Sequence, residues 1–270
     1  MTLLPERLGN WMTWPTRTRP DTPAPPLRAE LFSVDQLARH AKALAASHQM
    51  VTRQGANHLL DQLDQNERIL RAFNRATLAS GQSRSITPAA EWLLDNFYLI
   101  EEQIQMARRH LPRSYSRELP RLLNGSSAGF PRVYDIVLEL ISHVDAQIEA
   151  EPLSAFVAAY QTGASLSLGE LWAIPIMLRL GLIENLQRVT TRLNVAWEDH
   201  NLADHWVDRL QEMAERNPAH LVIVVADMAK ADLPTTSSFV AEFCQRLSQH
   251  SPVLHLARHW LEQHLVAQGL

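Results

Sequence analysis

The chain has 270 residues and a formal charge of −4 from 25 basic and 29 acidic side chains; 46% of its residues are hydrophobic and 20% charged. These values suit a folded globular protein of one large or two small domains, and they lack the basic excess of a nucleic-acid binder. One cysteine, Cys244, excludes an intrachain disulfide and a cysteine-based zinc site, and suits a reducing compartment.

Residues 1–30 carry six of the fifteen prolines, Pro5, Pro15, Pro20, Pro23, Pro25 and Pro26. Proline fixes φ and removes a backbone donor, so this segment is expected to be an extended arm, with Trp11 and Trp14 available to pin it to a surface. Glu6 and Arg7 interrupt the apolar residues of MTLLPERLGNWMTWP, so no secretory signal is expected.

Helical signals begin at Leu31. Ser33-Val34-Asp35-Gln36 is a capping box, and Leu37, Ala41 and Leu44 share the face that follows. A second helix should hold Leu59, Leu60, Leu63, Ile69, Leu70 and Phe73. Thr87-Pro88 supplies an N-cap hydroxyl and a first-turn proline. Trp92, Leu93, Phe97, Ile100 and Ile104 follow at helical spacing, acids early and bases late, up to Pro112. Pro131 and Pro152 stand where further helices can begin, the first before Val133, Ile136, Val137, Leu140 and Ile141, the second before Phe156 and Tyr160.

A long helix is expected from about Leu168 to Leu193, kinked or broken at Pro175. Its apolar window, Leu171 to Ile183, is too short to span a bilayer, which needs roughly 20 residues. Asn217-Pro218 and Ser251-Pro252 mark two more starts. LVIVVA, Leu221 to Ala226, has strand composition but directly follows a helix start, so it reads as the buried part of a helix. The expected fold is all-α: a bundle of roughly nine to eleven helices over residues 31–270, behind the proline-rich arm.

Four patterns invite a chemical reading. Gly125 to Gly129, within NGSSAGFP, fit the G-x-S-x-G of serine hydrolases, with Ser127 as nucleophile. A nucleophile elbow needs a buried strand before it and a helix directly after it. RSYSRELPRLL precedes it, Pro131 delays the helix, and Asp135 and His143 lie about 12 Å apart along one helix. An interhelical loop is the better reading. His255, His259 and His264 cluster late in the chain; the first two have helical spacing, but the motif lacks the zincin glutamate and contains Arg258. Glu91, Asp95, Glu101 and Glu102 line one helix, without the Glu-x-x-His pairs of di-iron bundles. No glycine-rich phosphate loop of either common type occurs. No catalytic, cofactor or metal residue is therefore assigned.

Two long segments carry a resemblance. ITPAAEWLLDNFYLIEEQIQMARRHLPRSYSRELPRL (Ile86 to Leu122) and LGELWAIPIMLRLGLIENLQRV (Leu168 to Val189) closely resemble the N-terminal region of bacterial cyclic β-1,2-glucan synthases. NGSSAGFPRVYDIVLELISHVD, Asn124 to Asp145, fits the same family; the flanks from Glu30 and to Leu270 fit more loosely. The arm and LVIVVADMAKADLPTT fit least. The resemblance implies a large membrane glycosyltransferase that polymerises glucose from UDP-glucose on the cytoplasmic side into an osmoregulated periplasmic glucan. Its acidic motifs, divalent metal, membrane spans and phosphorylase-like domain are expected outside these residues. This chain would then be a non-catalytic helical domain, on the cytoplasmic face of the inner membrane, whose partners are the other domains of the same polypeptide.

Under this resemblance Trp92, Tyr98, Trp172 and Trp197 are candidates for domain contacts or sugar stacking, or else they fill the helical core. Arg108, Arg109, Arg113, Arg117 and Arg121 form a basic run suited to anionic lipid headgroups or to a solvated loop. The alternative to a synthase domain is a stand-alone helical adaptor that holds a partner helix or peptide in a groove. The unpolar ending HLVAQGL is read as the result of a cut.

Overall fold

In a computed structural model the chain is described over residues 24–51, 58–80, 87–111, 118–231, 233–248 and 255–267. The described residues form ten α-helices and two two-residue strands, an all-α fold as expected. The arm up to residue 23, Pro112 and Ser251-Pro252 lie outside them.

In chain order the elements are α1 (Val34–Ser47), β1 (Met50–Val51), α2 (His58–Ser80), α3 (Pro88–Asp95), α4 (Phe97–His110), β2 (Arg121–Leu122), α5 (Arg132–His143) and α6 (Ala150–Gln161). Then come α7 (Leu168–Arg216), a 3₁₀ turn (Pro218–His220), α8 (Leu221–Lys230), α9 (Ser237–Ser248) and α10 (His255–Ala267). They divide into two compact units: Met1–Leu60 with Ala107–Arg188, and Asp61–Met106 with Val189–Leu270.

The first unit packs α1 against α5 and α6. The Ser33 hydroxyl accepts from the Gln36 amide and the Gln36 side chain accepts from the Ser33 amide, so the capping box starts α1. Helical spacing then turns Leu37, Ala41 and Ala45 onto Ile136 and Leu140 of α5 and Phe156, Ala159 and Tyr160 of α6. Every apolar residue expected to be buried in α5 is buried, from Val133 to Ile141. Gly181 lets α7 approach α5. A Cβ there would lie 2.7 Å from Ile141 Cδ1 and 3.3 Å from both Leu138 and Val137.

The second unit has its own core. Ala203, Trp206, Val207 and Leu210 of α7 meet Val224, Val225 and Met228 of α8, Phe239 and Phe243 of α9, and Ala257 and Leu261 of α10. LVIVVA is helical, because its residues supply this apolar wall at positions 221, 224 and 225. On α2 and α4, Arg71 pairs with Glu101 at 2.9 Å.

Three boundaries differ from the expectation. The helix capped by Thr87 is two helices parted at Asn96, whose side-chain amide and backbone N–H both donate to the Trp92 carbonyl, at 2.8 and 3.1 Å. The long helix neither breaks at Pro175 nor ends at Leu193; it runs 49 residues to Arg216. Pro175 is exposed, so water can serve the carbonyl it leaves unpaired, while Ala173, Ile174, Ile176 and Met177 beside it are buried. Asn217-Pro218 opens a 3₁₀ turn before α8, and the Asn217 side chain bonds His220 instead of capping.

Gly181→Val should destabilise the chain by about 1–3 kcal/mol, since the added methyls must displace Ile141 and Val137. Urea unfolding checks this, with the midpoint expected to fall.

Candidate functional site

The NGSSAGFP segment is a tight loop closed by a short ladder. β1 and β2 pair antiparallel, Met50 with Leu122 and Val51 with Arg121. Gly129 donates to the Leu122 carbonyl at 2.8 Å and Leu122 donates to Phe130 at 3.0 Å. Gly125 and Gly129 hold φ of 81° and 85°, a region that glycine occupies without strain. The Asn124 side chain accepts from the Gln49 amide and donates to the Ser47 carbonyl, which ties the loop to the end of α1. Ser127 is buried, and α5 starts only at Arg132. The loop therefore lacks the strand-to-helix transition of a nucleophile elbow.

Asp135 and His143, which follow Ser127 in the chain order of a hydrolase triad, are engaged elsewhere. Asp135 accepts from His48 Nε2 at 3.1 Å, and His143 Nδ1 donates to the Glu30 carbonyl at 2.7 Å. His48 in turn meets the Tyr160 hydroxyl through Nδ1 at 2.8 Å. A carboxylate, an imidazole and a hydroxyl thus stand in line. Tyr160 is fully buried, however, so no substrate can reach its oxygen. Burial pushes the Tyr160 phenol above its ordinary value, which keeps it protonated as a donor to His48.

The line continues into an ion pair. Arg132, at the first turn of α5, donates through Nη2 to Glu170 Oε2 at 2.8 Å and to the Ser165 carbonyl at 2.7 Å. Glu170 also accepts from the Ser167 amide and hydroxyl, each at 2.9 Å, and the Ser167 hydroxyl accepts from the Glu170 amide. Ser167-Leu168-Gly169-Glu170 is therefore the capping box that starts α7. Arg132 is 4% exposed and Glu170 1%, so both charges are desolvated and their stability depends on each other. Burial alone would raise the Glu170 carboxyl, but hydrogen bonds from Arg132 and Ser167 hold it below the ordinary glutamate range. The bond to Glu170 likewise raises the Arg132 guanidinium, against its burial.

The aromatic candidates do not fill the core. Trp92 is 56% exposed, Tyr98 65% and Trp172 71%, while Trp197 is half-buried. On α7 the spacing of Leu168, Trp172, Pro175 and Leu182 draws an exposed apolar stripe. The basic run is divided. Arg109 is exposed and Arg108 half-buried, whereas Arg121 is buried and donates to the Gly129 carbonyl at 2.8 Å. Arg121 thus holds the loop instead of facing lipid; Arg113 and Arg117 lie outside the described residues.

Of the acidic candidates, Glu91, Asp95 and Glu102 are exposed and Glu101 pairs with Arg71. Of the late histidines, His259 accepts from Gln263 at 2.9 Å and His264 stacks on Trp260 with centroids 5.1 Å apart. The His255 side chain lies outside the described residues. Among the described residues, no helix is long and apolar enough to cross a membrane.

Over 206 residues, 76% of its length, the chain is 33% identical to the cyclic beta-(1,2)-glucan synthase NdvB of Rhizobium meliloti (strain 1021). The chain is homologous to one region of a cyclic β-(1,2)-glucan synthase. It spans only 7% of that synthase's length, so it corresponds to a small part of a far larger protein. No family model matches the chain. This likeness bears out the resemblance to that family read from the sequence.

Because Glu170 titrates below its unfolded value, its contribution to stability is complete above the ordinary glutamate range. That contribution is lost as pH falls through the lower folded value. Urea midpoints should therefore drop on acidification, and Glu170→Gln should flatten this part of the dependence. At neutral pH the same substitution leaves the Arg132 charge buried and should cost about 3–5 kcal/mol.

Proposed function

We propose that the chain is a non-catalytic helical domain from the N-terminal region of a cyclic β-1,2-glucan synthase, placed on the cytoplasmic face of the inner membrane. The identity of 33% over 206 residues carries this reading. The parent polypeptide would polymerise glucose from UDP-glucose into cyclic glucan for the periplasm. The sugar nucleotide and its divalent metal would bind elsewhere in that polypeptide.

The partners of the domain are the glycosyltransferase and membrane-proximal parts of the same polypeptide. The exposed stripe at Leu168 and Trp172 supports a docking role, since large aromatics left in water are favoured contact residues. Ser127 supports no competing hydrolase reading, because it sits buried in a loop without its triad partners.

Radiolabelled UDP-glucose tests the proposal. Full-length synthase in membrane vesicles should make labelled cyclic glucan, while the 270-residue chain alone should release no UDP. In the full-length protein, Leu168→Ser with Trp172→Ser should lower glucan yield without unfolding the domain, because both side chains are exposed. Turnover of UDP-glucose by the isolated chain would overturn the non-catalytic reading. Unaltered glucan synthesis by the double variant would remove this stripe from the docking surface.

A further inference from the structure

We propose that His40, Glu139 and His143 form a site for a divalent transition-metal ion of the zinc class. His40 comes from α1, and Glu139 and His143 stand four apart on α5, so helical spacing puts their side chains on one face. One ligand atom from each lies within 4.8 Å of the other two. Two imidazoles and a carboxylate are a common zinc donor set that leaves coordination open to water. Ligands about 2.0–2.1 Å from a tetrahedral ion lie roughly 3.4 Å from each other. Here Glu139 Oε2 stands 2.9 Å from His40 Nε2 and 3.8 Å from His143 Nε2, on either side of that spacing.

The Glu30 carbonyl fixes which nitrogen of the His143 ring can serve as a ligand. A backbone carbonyl only accepts, so the 2.7 Å contact with Glu30 requires the proton on Nδ1. In the neutral ring the Nε2 lone pair then faces the Glu139 carboxylate. Two acceptors confront each other across 3.8 Å, and a cation between them resolves the conflict. A carbonyl bonded to the far nitrogen is also the usual support of a metal-bound histidine. Phe32 stacks on the same ring, with centroids 3.9 Å apart and planes 8° apart, and its edge meets His40. His40 shares one proton with Glu139 at 2.9 Å, and the ion would take that proton's place.

The site is open enough to load. The side chains of His40 and Glu139 are 28% and 34% exposed, while that of His143 is 10% exposed. The bound ion would tie α1 to α5 and, through Glu30 and Phe32, fasten the segment leading into α1. No metal ligand was expected from the sequence, because Glu139-Leu140-Ile141-Ser142-His143 is not the Glu-x-x-His of di-iron bundles, yet its one-turn spacing is equally suited to chelation.

Calorimetry of the untagged, chelator-treated 270-residue chain with Zn²⁺ at neutral pH tests the site. One ion per chain should bind, and His40→Gln and Glu139→Gln should each weaken binding by roughly 10- to 100-fold or more. Cys244→Ser and His259→Gln should bind as the unsubstituted chain does. His40 is partly exposed, so its variant should stay folded, with circular dichroism as the check; it decides the test even if His143→Gln unfolds. Cobalt(II) in place of zinc should give the visible bands of a low-symmetry nitrogen and oxygen site, without thiolate charge transfer. Absent Zn²⁺ binding would overturn the proposal and leave a proton as the only cation between Glu139 and His143. Unaltered binding by His40→Gln and Glu139→Gln, or a thiolate band traced to Cys244, would overturn it equally.

Discussion

The first unit depends on the Arg132–Glu170 pair. Two desolvated charges cannot persist separately in a helical core, so each fixes the position of the other. Arg132 opens α5 and Glu170 opens α7, and the pair thereby sets where both helices start. Ser165 and Ser167 complete the hydrogen bonding of the two charged groups. From this anchor the polar line runs to Tyr160 on α6, His48 just past α1 and Asp135 one turn into α5. Four helices of the unit thus share one buried network. The apolar contacts of Leu37, Ile136 and Phe156 surround it and exclude water.

The same elements define both the closed and the open parts of the surface. Asn124 and Arg121 use their polar groups to hold the glycine loop against α1 and β2, so the serine motif is a structural turn. Trp92, Tyr98 and Trp172 are not drawn into either core and remain available to a partner. That arrangement suits a domain that works by attachment to a larger polypeptide, in line with its homology to one region of a glucan synthase.

Much of the fold was legible because its signals are local. The Ser33 and Thr87 caps, the buried stripe from Val133 to Ile141 and the helical nature of LVIVVA all follow from residue spacing. The continuation of α7 past Leu193 was missed, although neither glycine nor proline occurs from Leu182 to Arg216 and Ala203, Trp206, Val207 and Leu210 continue the period. The division at Asn96 was hidden because an asparagine inside an apolar pattern bonds either solvent or its own backbone, and only the fold decides. The Ser167-to-Glu170 capping box was local yet unread, because Leu168 and Gly169 obscured the helix start. The Arg132–Glu170 pair and the His40–Glu139–His143 group could not be derived locally, since each joins residues distant in sequence. The exposure of Trp92 and Trp172 was equally non-local, because it depends on what the rest of the fold leaves uncovered.

Homology to one region of a far larger synthase implies that this helical chain works as part of a synthase polypeptide. The most direct measurement is to read the coding DNA on both sides of its 270 codons. A synthase domain requires an open frame continuing for many hundreds of codons, with hydrophobic spans and a glycosyltransferase acidic motif. A frame that closes at once on both sides would contradict it and favour a helical adaptor that meets its partner as a separate chain.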